Sequence, residues 1–428
     1  MINVNDGQVK RFAIWTSGGD ASGMDTVTNG VHAECQKRGI ILIGVHNGVM
    51  GLVGDTLLAQ TILRPGDWEW QQGTSLGSIK GEREFTKQQY KNARRHIETY
   101  GIDGIIVVGG NGSMAKTQEF LAEAGIYDMP VIVVPKTIDN DAPKFDADNI
   151  GFASAAKFGG TFLRNTDGSC QSMGATIHVV RIMGQKYGSL AYEAVKQSRF
   201  ERDMYGAADI VLTPEVLYNR ESLFTAVHAA LKTSEWRTGI QRKGLGSATI
   251  VIAEGIPDAD GMFRESKVSN QMIRSDDMQK YVMDLLKTEF PDYAIKDPEP
   301  SYTLRGATLC GRDHDVAFAA GEYAVAQLDT NPNLYSEPHM ILHGYLPSDP
   351  MSIISLTEVN GAKRTHITPA QAKAIGNEYG FVLGNEPPDE IIEFFARRGA
   401  RCPVSGLGEL PPPRVRLARS APELLAIA

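Results

Sequence analysis

The chain has 428 residues, 42% apolar and 22% charged, with a net charge of −8 and 44 glycines. That length exceeds one comfortable hydrophobic core, so two domains are expected. The acidic balance offers no basic face to a nucleic acid, and no apolar run approaches the roughly 20 residues of a membrane span. Neither a nucleic-acid nor a membrane partner is therefore expected. Cys35, Cys170, Cys310 and Cys402 lie far apart with no CxxC spacing, and Met1 to Arg11 is polar, without the apolar stretch of a leader. Both features fit a reduced, cytoplasmic protein.

In chain order, Phe12–Thr16 reads as a strand, Asp25–Arg38 as a helix and Ile40–Val45 as a strand. Lys87–Tyr100 reads as a helix, Gly104–Val108 as a strand, Ser113–Glu123 as a helix and Pro130–Val134 as a strand. Short β-branched runs alternating with longer amphipathic segments are the signature of βαβ units on a parallel sheet. A second series follows, with helices at Ala153–Arg164, Ser189–Ser198, Glu221–Ser234 and Ser269–Lys287. Its strands are at Ala175–Ile182, Asp209–Leu212 and Ala248–Ala253. Asp292–Pro300, rich in proline and acid, reads as a connector, and Pro403 to Ala428 as an arm over the surface or a partner subunit. The domains expected are 1–150, 151–345 and a C-terminal segment, 346–428, packing back on the core.

Three glycine-rich turns follow strands: Thr16–Met24, Gly109–Ser113 and Met183–Gly188. Such turns let the backbone approach an anion and aim N–H groups at it, with the next helix N-terminus adding its dipole. Tight βα turns also need glycine for packing alone. No Walker A and no GxGxxG pattern is present, which disfavours those nucleotide folds. The fourth loop, Lys136-Thr137-Ile138-Asp139-Asn140-Asp141, follows an apolar strand directly. Open α/β sheets place their chemistry at the carboxyl ends of strands. A carboxylate base beside a cation is what phosphoryl transfer to an alcohol needs. The bland alternative is an Asx-type turn built by Asp139 and Asp141.

Taken together these segments resemble the phosphofructokinase family. TSGGDASGM, GTSLGS (Gly73–Ser78), GGNGS, PKTIDND, Gly151-Phe152, Ile182–Gly184, Ala253–Gly255 and PSYTLR (Pro300–Arg305) occur in family order, from about Phe12 to about Gly344. The resemblance implies an α/β fold of two doubly wound domains with the active site in the cleft between them. It implies Mg²⁺, a phosphoryl donor (pyrophosphate or ATP), a sugar-phosphate acceptor with fructose 6-phosphate as default, and a homodimer or homotetramer. By the same resemblance Asp139 is the general base, Asp141 assists it or helps hold the metal, and Thr137 positions the reacting groups. Lys136 contacts the transferred phosphoryl group or the leaving phosphate. Gly18, Gly19, Lys80, Gly110, Gly112 and Ser113 line the donor site, and Met183, Gly184, Glu254, Tyr302 and Arg305 hold the acceptor. Lys136 in this motif suits pyrophosphate-dependent members and long ATP-dependent ones, whereas Gly112 is the small residue associated with ATP. The general likeness favours pyrophosphate.

Several positions depart from the family pattern. Asn111 stands where an aspartate helps bind Mg²⁺, Gln185 where an arginine is usual, Ser22 for proline and Asp25 for asparagine. Beyond Arg305 the His-x-Gln-Arg-Gly-Gly element of the short bacterial enzymes is absent. These changes leave two other readings: the same chemistry on another sugar, polyol or nucleoside, or a non-catalytic regulatory homologue that binds phosphates. Glu254 also reads as an ion-pair partner, Tyr302 and Arg305 as an exposed strand, and Lys186 as a solvated helix-start residue. His314 between Asp313 and Asp315 reads as a surface cluster.

Overall fold

A computed structural model describes residues 9–62, 72–78, 84–127, 129–142, 148–199, 205–237, 240–241, 243–262, 276–344, 346, 348–359 and 366–399. The first half builds β1 (Arg11–Thr16), α1 (Met24–Arg38), β2 (Ile41–Val45), α2 (Met50–Val53), β3 (Ala59–Thr61), α3 (Lys87–Tyr100), β4 (Gly104–Gly109), α4 (Asn111–Glu123) and β5 (Val131–Pro135). The second builds α5 (Phe152–Met173), β6 (Thr176–Ile182), α6 (Ser189–Gln197), β7 (Ile210–Leu212), α7 (Arg220–Ser234), a small hairpin of β8 (Trp236–Arg237) and β9 (Ile240–Gln241), β10 (Ser247–Ala253), α8 (Asp276–Glu289) and β11 (Ala294–Lys296). Then come α9 (Gly311–Thr330), β12 (His339–Leu342), β13 (Ser352–Ser355), α10 (Leu356–Val359), α11 (Pro369–Tyr379) and α12 (Pro388–Gly399).

Two sheets carry the fold. The larger has the order β13-β12-β5-β4-β1-β2-β3, and the smaller has the order β11-β6-β10-β7. The inner strands are parallel and buried on both faces, so they read as unbroken apolar runs such as VIVVP and SATIVIA. Separate apolar clusters cover the two faces of the larger sheet, one including Met24, Val27 and Ala317, the other Trp15, Met114 and Leu356. Burying a side chain such as Trp15 or Val107 stabilises by about 1.5–3 kcal/mol against leaving it in water. α3 starts on a capping box between Thr86 and Gln89 and stops at Gly101 in the left-handed region, so both of its ends are marked in the local sequence.

The chain crosses between the sheets more than once. After the second sheet is built, α9 packs on α1, and β12 adds parallel to β5 with β13 antiparallel beyond it. The expected second domain, a continuous 151–345, is corrected by this return: residues 311–359 belong with the larger sheet. α11 and α12 then pack on α6 and α7 beside the smaller sheet. The connector expected at Asp292–Pro300 contains the edge strand β11, paired with β6. Residues 400–428 lie outside the described residues. Among the described residues no helix is long and apolar enough to cross a membrane.

Candidate active site

β5 ends at Pro135, and Lys136 continues its direction through a bridge to Ile150. The Lys136 side chain is buried and turns back on the first glycine loop, donating from Nζ to Ser17 O at 3.4 Å and to Gly19 O. Burial, and then the neighbouring Arg305 charge, bring its pKa down to about 8, against the opposing pull of Asp139, Asp20 and Asp141. Thr137 accepts the Asp139 N–H on Oγ1 at 3.1 Å, a local turn that sets the loop's direction. Asn140 takes a positive φ of 55° and is locked by two bonds, accepting from Asn149 N at 2.9 Å and donating to Asp148 Oδ1 at 3.1 Å. Asp139 is thereby buried, with Oδ2 accepting from Gln185 Nε2 at 2.8 Å. Asp141 is half-buried at the loop's exit.

The glycine loops close around this lysine. Gly18 faces Ser113 and Lys136: a Cβ built there would stand 3.1 Å from Ser113 Oγ and 3.9 Å from Lys136 Nζ. Its carbonyl accepts from Ser78 Oγ at 2.6 Å. Gly110 is the N-cap of α4 and sits against Lys136 and Thr137. Asn111 and Gly112 are exposed in the first turn of α4, and nothing lies within 4 Å of a Cβ built on Gly112. Lys80 lies outside the described residues.

From the second half come the turn after β6 and the segment after Pro300. Gly184 N and Gln185 N both donate to Glu254 Oε2, at 3.2 and 3.1 Å, with half-buried Met183 just before them. Glu254 is thus engaged by the backbone of this turn, and it forms no ion pair among the described residues. Ser301–Leu304 is a 3-10 turn, so the exposed-strand alternative for this segment is set aside. It leaves Tyr302 71% exposed and Arg305 only 6% exposed, with Arg305 Nε buried and without a hydrogen-bond partner among the described residues. Gly18, Gly19, Asp20, Gly73, Tyr302 and Arg305 are among the residues lining one cavity of about 390 Å³. The sequence assigned the glycines and Tyr302/Arg305 to different ligands, yet they share this cavity.

A model of the family described as phosphofructokinase matches residues 11–328. The chain belongs to the phosphofructokinase family. That is a family of phosphotransferases. It is 30% identical over 323 residues to the ATP-dependent 6-phosphofructokinase of Hamiltonella defensa, covering 75% of this chain and 84% of that one. With the enzyme of that name from Staphylococcus carnosus it shares 29% over 322 residues, 75% of this chain and 86% of the other. The fold matches the phosphofructokinase of Saccharomyces cerevisiae with a TM-score of 0.66 at 21% identity, spanning 90% of this chain and 48% of the yeast chain. It matches the pyrophosphate-dependent phosphofructokinase of Nitrosospira multiformis with a TM-score of 0.66 at 19% identity, over 95% of each chain.

Within this family member most of the unusual positions have structural partners. Asp25 is buried and accepts Ser75 N at 2.9 Å and Ser75 Oγ at 2.6 Å, so its charge anchors the 73–78 loop and does not face a ligand. Burial pushes its pKa up. Ser22 is buried and donates to Ala307 O, tying the first glycine loop to the segment after Arg305. The surface cluster expected around His314 is corrected in part: Asp313 is fully buried, and its Oδ2 accepts Ser154 N at 2.7 Å and Ser154 Oγ at 2.6 Å in the first turn of α5. The chain after Arg305 therefore serves the fold. His314 is half-buried against Asp315, and Lys186 is exposed. Asp25 and Asp313 were not singled out as anchors from sequence, because their partners are set by tertiary packing; Asn140 was also missed, although its partners Asp148 and Asn149 are local.

Proposed function

We propose that this member of the phosphofructokinase family moves a phosphoryl group to a hydroxyl of a sugar phosphate, fructose 6-phosphate by default, with Asp139 as the general base. The observation that carries the reading is the meeting, at one loop, of a buried carboxylate with two buried cations, Lys136 and Arg305. Asp139 takes the proton of the attacking hydroxyl, while Lys136 stabilises the charge on the phosphoryl oxygens. Arg305, buried on the cavity wall with an Nε that has no partner among the described residues, is the fork that grips the acceptor's phosphate, with Tyr302 beside it. Thr137 and Asp141 orient the reacting groups. Ser113, Gly18, Gly19 and Gly110 form the floor for the donor's phosphates.

Mg²⁺ fits this donor set on its chemistry. Among the described residues no three His, Cys, Asp or Glu side chains gather as a metal cage. Oxygen donors on these loops include the exposed Asn111 amide at the start of α4, the half-buried Asp141 and the exposed Asp20 on the cavity wall. Mg²⁺ is ordinarily held by one or two such groups together with substrate phosphates and water. Bound there, it would neutralise charge on the transferring group, and Asn111 would hold it without adding a negative charge.

For the donor, ATP is the better-supported reading. The relatives at 29–30% identity bear the name ATP-dependent, and Gly112 opens onto free space where a larger side chain would stand. The test is phosphorus NMR with Mg²⁺, pairing ATP and pyrophosphate with a panel of sugars and sugar phosphates. Transfer from ATP to fructose 6-phosphate is expected. Transfer from pyrophosphate alone overturns the donor, and silence with measurable phosphate binding favours a regulatory homologue. A homodimer or homotetramer is the proposed assembly, and a monomer in sedimentation velocity would contradict it.

A further inference from the structure

The turn after β6 puts Gln185 in an unfavourable backbone conformation, with φ at +51°. A non-glycine residue stays there only where its surroundings impose it. Here they do so from several sides. Glu254 Oε2 accepts the N–H groups of Gly184 and Gln185, at 3.2 and 3.1 Å. At the other end Glu215, its side chain 1% exposed, accepts Gly188 N–H on Oε1 at 2.8 Å. His366 lies 3.6 Å from that same oxygen and stacks on Tyr187 with ring centroids 4.3 Å apart. Gly255 packs beneath: a Cβ there would come 2.1 Å from Gln185 O, so no other residue fits without moving the turn.

The held turn sends one side chain across to the other sheet. Gln185 Nε2 donates to Asp139 Oδ2 at 2.8 Å, joining the ends of β6 and β5. The donor is the amide nitrogen, because an ionised carboxylate only accepts. We propose that Gln185 is a positioning residue: its amide fixes the carboxylate of Asp139 in the orientation that takes the acceptor's proton. This rests on the reading of Asp139 as the base. A neutral donor aims the carboxylate without adding positive charge, so among these side chains the charge on the transferring group falls to Lys136. Glu254 and Glu215 act one step further back, by holding the turn that carries the amide.

The test is steady-state kinetics of the full chain with the donor and acceptor found active, on Gln185→Met, Gln185→Ala and Gln185→Arg. Methionine keeps length and removes the donor. The expected result is a kcat about 10²-fold lower, with acceptor KM within about twofold, for both Met and Ala. Gln185→Arg keeps a donor at this position, so it retains most of the wild-type kcat. In an Asp139→Asn background, Gln185→Met should produce no further fall in kcat. Wild-type kcat in Gln185→Met and Gln185→Ala, or an equal loss in both backgrounds, overturns the proposal. A wild-type chain without turnover, or an Asp139→Asn variant that keeps its turnover, instead removes the base itself and this inference with it.

Discussion

Arg305 rests on Gly19: a Cβ built on that glycine would stand 2.6 Å from Nη1 of the guanidinium. The first glycine loop thus makes room for the cation that comes from the far end of the chain. Gly19→Ala should push Arg305 off its seat and raise acceptor KM about 10- to 10²-fold, the worth of a charge-assisted phosphate bond. Its melting temperature should change little. Arg305→Lys should match it, because an ammonium lacks the fork. Titration calorimetry with the sugar phosphate checks both, and unchanged affinity in either would contradict the role.

Lys136 sets a pH limit. Its folded pKa of about 8 lies below the ordinary 10.5, so it is cationic below about 8 and neutral above. Loss of the cation should make kcat/KM of the free enzyme fall about tenfold per pH unit above pH 8. For stability the sign is opposite: between about 8 and 10.5 the unfolded chain binds more protons, so this group's contribution improves as pH rises. Lys136→Met should be slow at every pH and lack that basic limb. A limb still near pH 8 in the methionine variant would assign it elsewhere.

Asp25 anchors the 73–78 loop through Ser75. Asp25→Ala removes the carboxylate that accepts the Ser75 N–H and hydroxyl, two part-buried bonds to a charged group, at a cost of about 1–3 kcal/mol. It should also raise substrate KM, since Gly73 and Thr74 line the cavity. Asp25→Asn keeps an acceptor and is expected to be close to neutral in denaturant unfolding. A large loss in Asp25→Asn would mean that the charge itself matters.

In the second sheet, Asp167 accepts from Thr249 Oγ1 at 2.9 Å and Gln171 Nε2 at 2.6 Å. Burial, with Asp209 next, pushes its pKa up to about 6. The folded state therefore binds more protons than the unfolded one between about pH 4 and 6, and stability drains away as pH rises through that window. Asp167→Asn should gain on the order of 2 kcal/mol at pH 7 and nothing at pH 4. Urea unfolding at the two pH values checks this. Equal stability of the two chains at pH 7 would refute it.

Much of the architecture was legible because buried parallel strands are unbroken apolar runs and because helix caps are local. Lys87–Tyr100 carries its own start and stop signals, and its predicted bounds coincide with α3. α5 runs on past Arg164 to Met173 because Leu163, Thr166 and Cys170 keep its buried face through a polar stretch with a glycine. β11 is three residues at a sheet edge, too short for a periodic signal. The return of 311–359 to the larger sheet is set by packing on α1 and by pairing with β5, which no local pattern announces. At the site, motif order located the loops. What Glu254, Asp25, Ser22 and Asp313 bond to depends on partners 50 or more residues away.

Asp139→Asn decides the base. Turnover and sugar-phosphate affinity should be measured side by side on the wild-type chain and this variant, with circular dichroism to confirm folding. A carboxylate that takes the hydroxyl proton predicts a kcat at least about 10³-fold lower with Kd within about threefold. Turnover near the wild-type level in the Asp139→Asn variant would contradict it outright.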